Sequence, residues 1–149
     1  QIRNIHQLIL KNIDDDNAGR YRQQNVLISG ATSTPPDYTL LNDKMAQLVD
    51  WYNSEAHKLH PIERAAKVHA DFVGIHPFID GNGRTSRLLM NLELLKAGYP
   101  PCVITVENRL AYYEALDQWM AYGKTEAFNQ LVSKAVLEGF KPYQVVLGI

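Results

Sequence analysis

The chain has 149 residues, 46% hydrophobic and 21% charged, which is a globular composition with material for one core and not that of a disordered segment. A formal net charge of −1 leaves no excess of Lys and Arg to neutralise phosphate backbones, so nucleic acid is excluded as a general partner. The single cysteine, Cys102, rules out a disulfide within the chain, no apolar run approaches the roughly 18 residues of a membrane span, and no signal-peptide pattern opens the sequence, so a cytoplasmic protein with no membrane partner is expected.

Gln1 falls within a helical pattern already under way, and an upstream segment is expected to be missing. Ile2, Ile5, Leu8, Ile9 and Ile13 recur at helical spacing, and the run Asp14 to Gly19 breaks the pattern. Tyr21 to Ile28 partly alternates and Ser29 to Pro36 is loop-like, so 19–36 reads as a short β-hairpin flap. Leu41, Met45, Leu48, Val49 and Tyr52 mark one face of a helix from Asp37 to about His57. Pro61 suits the first turn of the next helix and Glu63 its positive end. Ile62, Ala65, Ala66, His69, Phe72 and Val73 face its core side. It should stop near Ile75, because the residue before Pro77 is pushed out of helical geometry. A helix from about Gly83 to Gly98 follows, and after Pro100-Pro101 two more cover Glu107–Tyr122 and Thr125 to about Phe140. The fold expected is all-α apart from the flap, with 1–149 as a single domain. Cys102, in the apolar run PPCVI, reads as a small core residue.

The stretch HPFIDGNGRTSR, 76–87, stands apart from these helices. Gly81-Asn82-Gly83 lies at a helix N-terminus, where free N–H groups and the helix dipole attract anions and glycine lets the backbone approach a ligand. Arg84 and Arg87 in the first turn oppose the dipole, a cost that a bound polyphosphate would offset. Neither a P-loop nor a dinucleotide fingerprint is present, since GxxxxGK[ST] is absent and no strand leads in. A carboxylate, Asp80, beside such a cradle makes sense if Mg²⁺ sits between it and the phosphates. His76, four residues earlier, has the near-neutral pKa that suits a base for an attacking hydroxyl. Base, metal carboxylate and cradle together are what phosphoryl or nucleotidyl transfer requires. The same residues also fit a plain capping turn with Asp80 or Asn82 as caps and the arginines in surface ion pairs. His57 and His60 lack third and fourth ligands for a metal, and His69 reads as a hydrogen-bonded core residue.

His76, Phe78, Asp80, Gly81, Asn82, Gly83, Arg84 and Arg87 match in full the signature HxFx[D/E]GNGRxxR of the Fic family. ERAAKVHADFVGIHPF resembles the helix leading into that motif, GRYRQQNVLISG the family's flap, and RLAYYEAL the helix that follows, so the resemblance covers most of Gly19 to about Gly123. The Doc kinase branch alters the GNGR portion and carries Lys there, whereas this chain keeps Gly83 and Arg84.

The resemblance to the protein adenylyltransferase branch implies a Fic-type helical bundle that moves AMP from ATP to a hydroxyl side chain of a target protein. It implies His76 as general base and Asp80 as holder of Mg²⁺ between the α- and β-phosphates. Gly81, Asn82, Gly83 and Arg84 would bind phosphates, with Thr85 and Ser86 in the same turn and Arg87 reaching the terminal phosphate. Phe78 would be a buried pin. Ile28, Ser29, Gly30 and Ala31 would clamp the target by strand-like pairing. Tyr112 and Tyr113 match a pair near the nucleoside. Neighbours on a helix point about 100° apart, so one of the two at most faces the base. Some relatives carry Asn where this chain has Met120.

Many Fic proteins carry an inhibitory motif [S/T]xxxE[G/N] whose Glu pairs with the second motif Arg. Here Ser133 and Glu138 are five residues apart instead of four, so an inhibitory segment is expected upstream of Gln1 or on an antitoxin-like partner, with Glu138-Gly139 as a weaker substitute. The alternatives to AMP transfer are a Fic-fold transferase using another nucleotide donor or removing AMP, and a non-catalytic nucleotide-sensing interaction module. Removal would call for a positioned Glu, and a binding-only module needs neither a base nor a metal carboxylate.

Overall fold

A computed structural model describes residues 1–148 of the chain. Among these residues there are six α-helices, two 3-10 turns and no strand: α1 (Ile2–Leu10), α2 (Leu41–Ser54), α3 (Pro61–Ile75), α4 (Asn82–Lys96), α5 (Arg109–Tyr122) and α6 (Glu126–Leu147), with the turns Tyr38–Leu40 and Ala56–Lys58 at either end of α2. None is long and apolar enough to cross a membrane.

The helix α3 is central and packs against α2, α4, α5 and α6. Ala65, Ala66 and Ala70, all buried, let the neighbours approach its axis closely. One core joins α3 to α4, α5 and α6 through Met90, Leu94, Leu116, Trp119, Phe128 and Val132. A second, smaller core gathers Met45, Leu48, Phe72 and Phe78 between α2, α3 and the α3–α4 link. Cys102 lies in the first core, where burial pushes its thiol up to about 12, so it is inert filler.

Three expectations need correction. The flap forms no β-hairpin: 19–36 is an extended loop whose one internal backbone bond is the tip turn from Ala31 N–H to the Ile28 carbonyl (3.1 Å). A ladder is not available, because Pro35 and Pro36 have no N–H and the carbonyls of Gln24 and Pro36 accept from the Arg22 side chain instead.

The buried face of α1 is turned from the apolar stripe. His6 and Leu10 are fully buried, while Leu8 is 72% and Ile13 65% exposed. His6 wins the interior place because both its ring nitrogens and its ring face find partners there. Finally, α6 runs through Pro142 to Leu147, past the expected end at Phe140. The proline leaves the Glu138 carbonyl without a helical donor on a stretch exposed to solvent.

Phe78 closes the second core with no exposed surface. Its ring stacks on His6 (centroids 3.5 Å apart, planes within 3°) and meets Tyr21 and Phe72 at 5.4 and 6.2 Å. Phe78→Ala should destabilise the protein by about 3–5 kcal/mol, read as a lowered denaturation midpoint with little change in slope.

Candidate active site

The site lies where α3 ends and α4 begins. His76 caps α3 in the left-handed conformation (φ 50°, ψ 56°), its N–H still bonded to the Phe72 carbonyl. The chain turns through Pro77 and the Phe78 pin and restarts as a helix after Gly81, which is also left-handed (φ 78°). Gly81 is required twice over, since a Cβ there would be strained and would sit 3.1 Å from His6 Nε2. Asn82 braces the turn: its amide donates to the Phe78 carbonyl (2.8 Å) and its Oδ1 accepts from Phe78 N–H (3.0 Å). His6 ties α1 to the same turn. Its Nδ1 accepts from Gly19 N–H (2.9 Å), so Nε2 carries the proton and donates to the Asp80 carbonyl (2.9 Å).

His76 is half-buried and its Nδ1 lies 3.2 Å from the Val73 carbonyl. A carbonyl accepts only, so Nδ1 carries the proton and Nε2 keeps its lone pair. Burial lowers the pKa of His76 below its ordinary value of 6.5; the Val73 carbonyl and Asp80 oppose that shift and the Arg22 charge assists it. At neutral pH the ring is therefore a neutral base.

No side chain caps α4, and its first helical bond runs from Thr85 N–H to the Gly81 carbonyl. The N–H groups of Asn82, Gly83 and Arg84 are left without intrahelical acceptors. Exposed Asp80 accepts from Gly81 N–H (2.6 Å) and from Arg84 (2.8 Å). Arg87 lies over Gly83, where a Cβ would come within 3.3 Å of its Nη1. Arg84 and Arg87 thus flank free N–H groups at the dipole's positive end, which makes an anion cradle. The side chains of Asn82, Thr85 and Ser86 are buried and take no outward part in it.

The two tyrosines part as adjacent helical residues must. Tyr112 is 4% exposed and Tyr113 52%. Tyr112 Oη lies 3.1 Å from His69 Nε2, which is also 3.3 Å from Ser86 Oγ, and Ser86 donates to the Gly83 carbonyl (3.0 Å). Fully buried His69 thereby joins α5 to the floor of the cradle, as a core residue and not a chemical participant. In the flap, Ile28, Ser29, Gly30 and Ala31 form the tip, and Thr32 is held to Asp117 of α5 by two bonds of 2.6 Å.

Glu138 pairs with Lys141, and Gly139 packs on Pro100, so neither faces Arg87. His60 caps α3 by accepting from Ile62 N–H (3.3 Å), and among the described residues no group of three or more His, Cys, Asp or Glu could hold a metal. A cation shared between one carboxylate and substrate phosphates needs no such group, and exposed Asp80 beside the cradle fits that case.

Sequence reasoning missed Arg22 and His6. Arg22 sits in GRYR, and its burial is the signal only structure reveals.

Burial holds the pKa of His69 down to about 3 and lowers that of His6. The unfolded chain takes up these protons near pH 6.5 and the folded one does not. Stability should therefore be full above pH 6.5 and fall as pH drops towards 3, by up to ~1.4 kcal/mol per pH unit for His69, with His6 acting in the same direction. Urea midpoints measured from pH 7.5 to 5 should decline, and His69→Gln should flatten that slope.

Comparison with known proteins agrees with this geometry. Residues 1–94 match the model of the Fic/DOC family. The chain is 43% identical over 113 residues to protein adenylyltransferase fic-1 of Caenorhabditis briggsae, covering 75% of this chain and 22% of that protein. It is 45% identical over 113 residues to protein adenylyltransferase Fic of Drosophila willistoni, with the same two coverages. The chain thus spans about a fifth of the length of these curated relatives. The structure superposes on Fic-1 (residues 134–508) of C. elegans with a TM-score of 0.87 at 36% identity, covering 99% of this chain and 43% of that one. A buried Phe78 pin, a left-handed His76 and an uncapped cradle at Gly81 are thus set in a fold and a sequence shared with these proteins, and the chain belongs to the Fic/DOC family.

Proposed function

We propose that this chain is a Fic-type domain that transfers AMP from ATP to a hydroxyl side chain of a target protein. The observation that carries the reading is the pairing of a tautomer-defined neutral base, His76, with the anion cradle on the next turn of chain. Curated relatives named protein adenylyltransferases support the choice of AMP as the group moved.

The polyphosphate of ATP would lie across the N–H groups of Asn82, Gly83 and Arg84, with the guanidinium groups of Arg84 and Arg87 beside it. Tyr113, exposed on α5, would meet the nucleoside, while buried Tyr112 would support the cradle from within. Asp80 would hold Mg²⁺, which when bound supplies positive charge to the phosphates and the departing pyrophosphate. Each Asp80 oxygen accepts one hydrogen bond and keeps lone-pair capacity for a cation.

The target segment would lie along the flap tip. Among the described residues the N–H groups of Val26, Leu27 and Ile28 have no partner, and Leu27 is 79% exposed, so this extended edge suits strand addition. His76 Nε2 then takes the proton from the acceptor hydroxyl as its oxygen bonds to the α-phosphorus and pyrophosphate leaves. The lowered pKa keeps the base unprotonated into mild acid, so the acid limb of the rate should fall below pH 6.5.

Purified protein with Mg²⁺ and α-labelled ATP in a cell lysate should transfer label to protein. His76→Ala should lose about 10²–10⁴-fold in rate, a general base's typical share, while ATP still raises its melting temperature. Unimpaired labelling by that variant would sink the base assignment, and no thermal effect of ATP on either form would sink the cradle.

A further inference from the structure

We infer that Arg22 is a positioning residue that couples the target-clamping flap to the catalytic histidine. The inference rests on the reading of His76 as base and of the flap as clamp. Arg22 is 3% exposed, and among the described residues no carboxylate lies within ion-pair distance of it. Its guanidinium is satisfied by backbone carbonyls. Nε donates to His76 (2.9 Å), Nη1 to Gln24 (2.8 Å) and Nη2 to Pro36 (2.6 Å). Its own N–H donates to the Pro77 carbonyl (2.9 Å).

Those acceptors are not scattered. Gln24 and Pro36 are the two feet of the loop 24–36 that carries the flap tip, and His76 and Pro77 are the base and its neighbour. One rigid fork therefore closes the flap loop and holds the peptide of His76 at the same time. A buried charge is a costly way to fill space, and an apolar side chain would fill it more favourably. What the guanidinium alone supplies is five donors in a fixed plane, aimed in three directions. The backbone it holds is the left-handed turn of His76, a conformation that persists only where surroundings impose it. A flap displaced by a target segment would move Gln24 and Pro36, and through Arg22 the carbonyl of His76.

The charge has a second consequence. Arg22 acts on the His76 ring as a cation that lowers its pKa, against Asp80 on the same turn and the Val73 carbonyl from α3. Lys at position 22 would keep that charge but lose the fork, and Gln would lose both.

The test compares the unmodified protein with R22K and R22Q, using α-labelled ATP, Mg²⁺ and lysate proteins as acceptor pool, beside amide hydrogen exchange of the proteins alone. Both variants should lose about 10–100-fold in labelling rate at saturating ATP, the scale of a misplaced catalytic group. Half-saturating ATP should stay within about twofold, since the cradle belongs to α4, while half-saturating lysate rises. Exchange should quicken over 23–34 and 76–78 and stay unchanged in α5 and α6. The acid limb of the pH–rate profile should move up in R22Q and stay in R22K. Should R22Q fail to fold, R22K decides by itself. Wild-type rates in R22K, or exchange that quickens throughout the molecule with ATP affinity falling in step, would overturn the coupling. If the unmodified protein labels nothing, the transfer reading falls. The exchange pattern then judges Arg22 alone: quickening confined to the flap and 76–78 sustains the link, and none overturns it.

Discussion

The reversal of the chain at His76 is the constraint on which the rest of the site depends. A non-glycine residue held left-handed costs roughly 1 kcal/mol or more and persists only if its surroundings over-determine it. Here they do. Its N–H completes the last turn of α3, its carbonyl accepts from Arg22, and its ring is drawn to the Val73 carbonyl. Two residues on, Phe78 is sealed under His6, and Asn82 bridges back to the Phe78 backbone. The outcome is that His76 and the uncapped start of α4 are joined by a short turn fixed by elements already packed for other reasons.

Burial also sets the chemical state of the three histidines involved. His6, His69 and His76 are each pushed towards the neutral form, chiefly by desolvation, yet they serve differently. His6 spends both ring nitrogens on backbone groups and works as a staple. His69 spends its Nε2 on Tyr112 and Ser86 and works as a brace. His76 leaves Nε2 uncommitted on a half-buried ring, whereas the unpartnered Nδ1 of His69 is sealed in the core, and that access separates an imidazole able to act as a base from a structural one. Arg22 is buried and spent on backbone carbonyls, whereas Arg84 and Arg87 at the start of α4 suit a polyanion, with Asp80 as the carboxylate beside the cradle.

Much of this was legible in the residues. The spacing of 76–87 is local, so its glycines, arginines, histidine and carboxylate could be read as one turn between two helices, and α3 and α4 begin and end within two residues of expectation. His69 as a core residue followed from its place on the apolar face of α3, and Phe78 as a pin from the resemblance of the motif. The phase of α1 did not, because an apolar stripe assumes that polar side chains face water, and His6 finds its partners 13 and 74 residues away. The flap did not either. Alternation suggested strands, but a strand needs a ladder partner, and Arg22 took the carbonyls first.

The sequence by itself determined the helical class and set His76, Asp80, Gly81, Arg84 and Arg87 together in the α3–α4 turn, since both rest on short-range spacing and helical periodicity. Only the tertiary structure decided which nitrogen of His76 is free, which tyrosine is buried, and that a buried arginine in the flap holds the catalytic turn. Those depend on contacts between segments distant in the chain, where burial and hydrogen-bond satisfaction outweigh local preference.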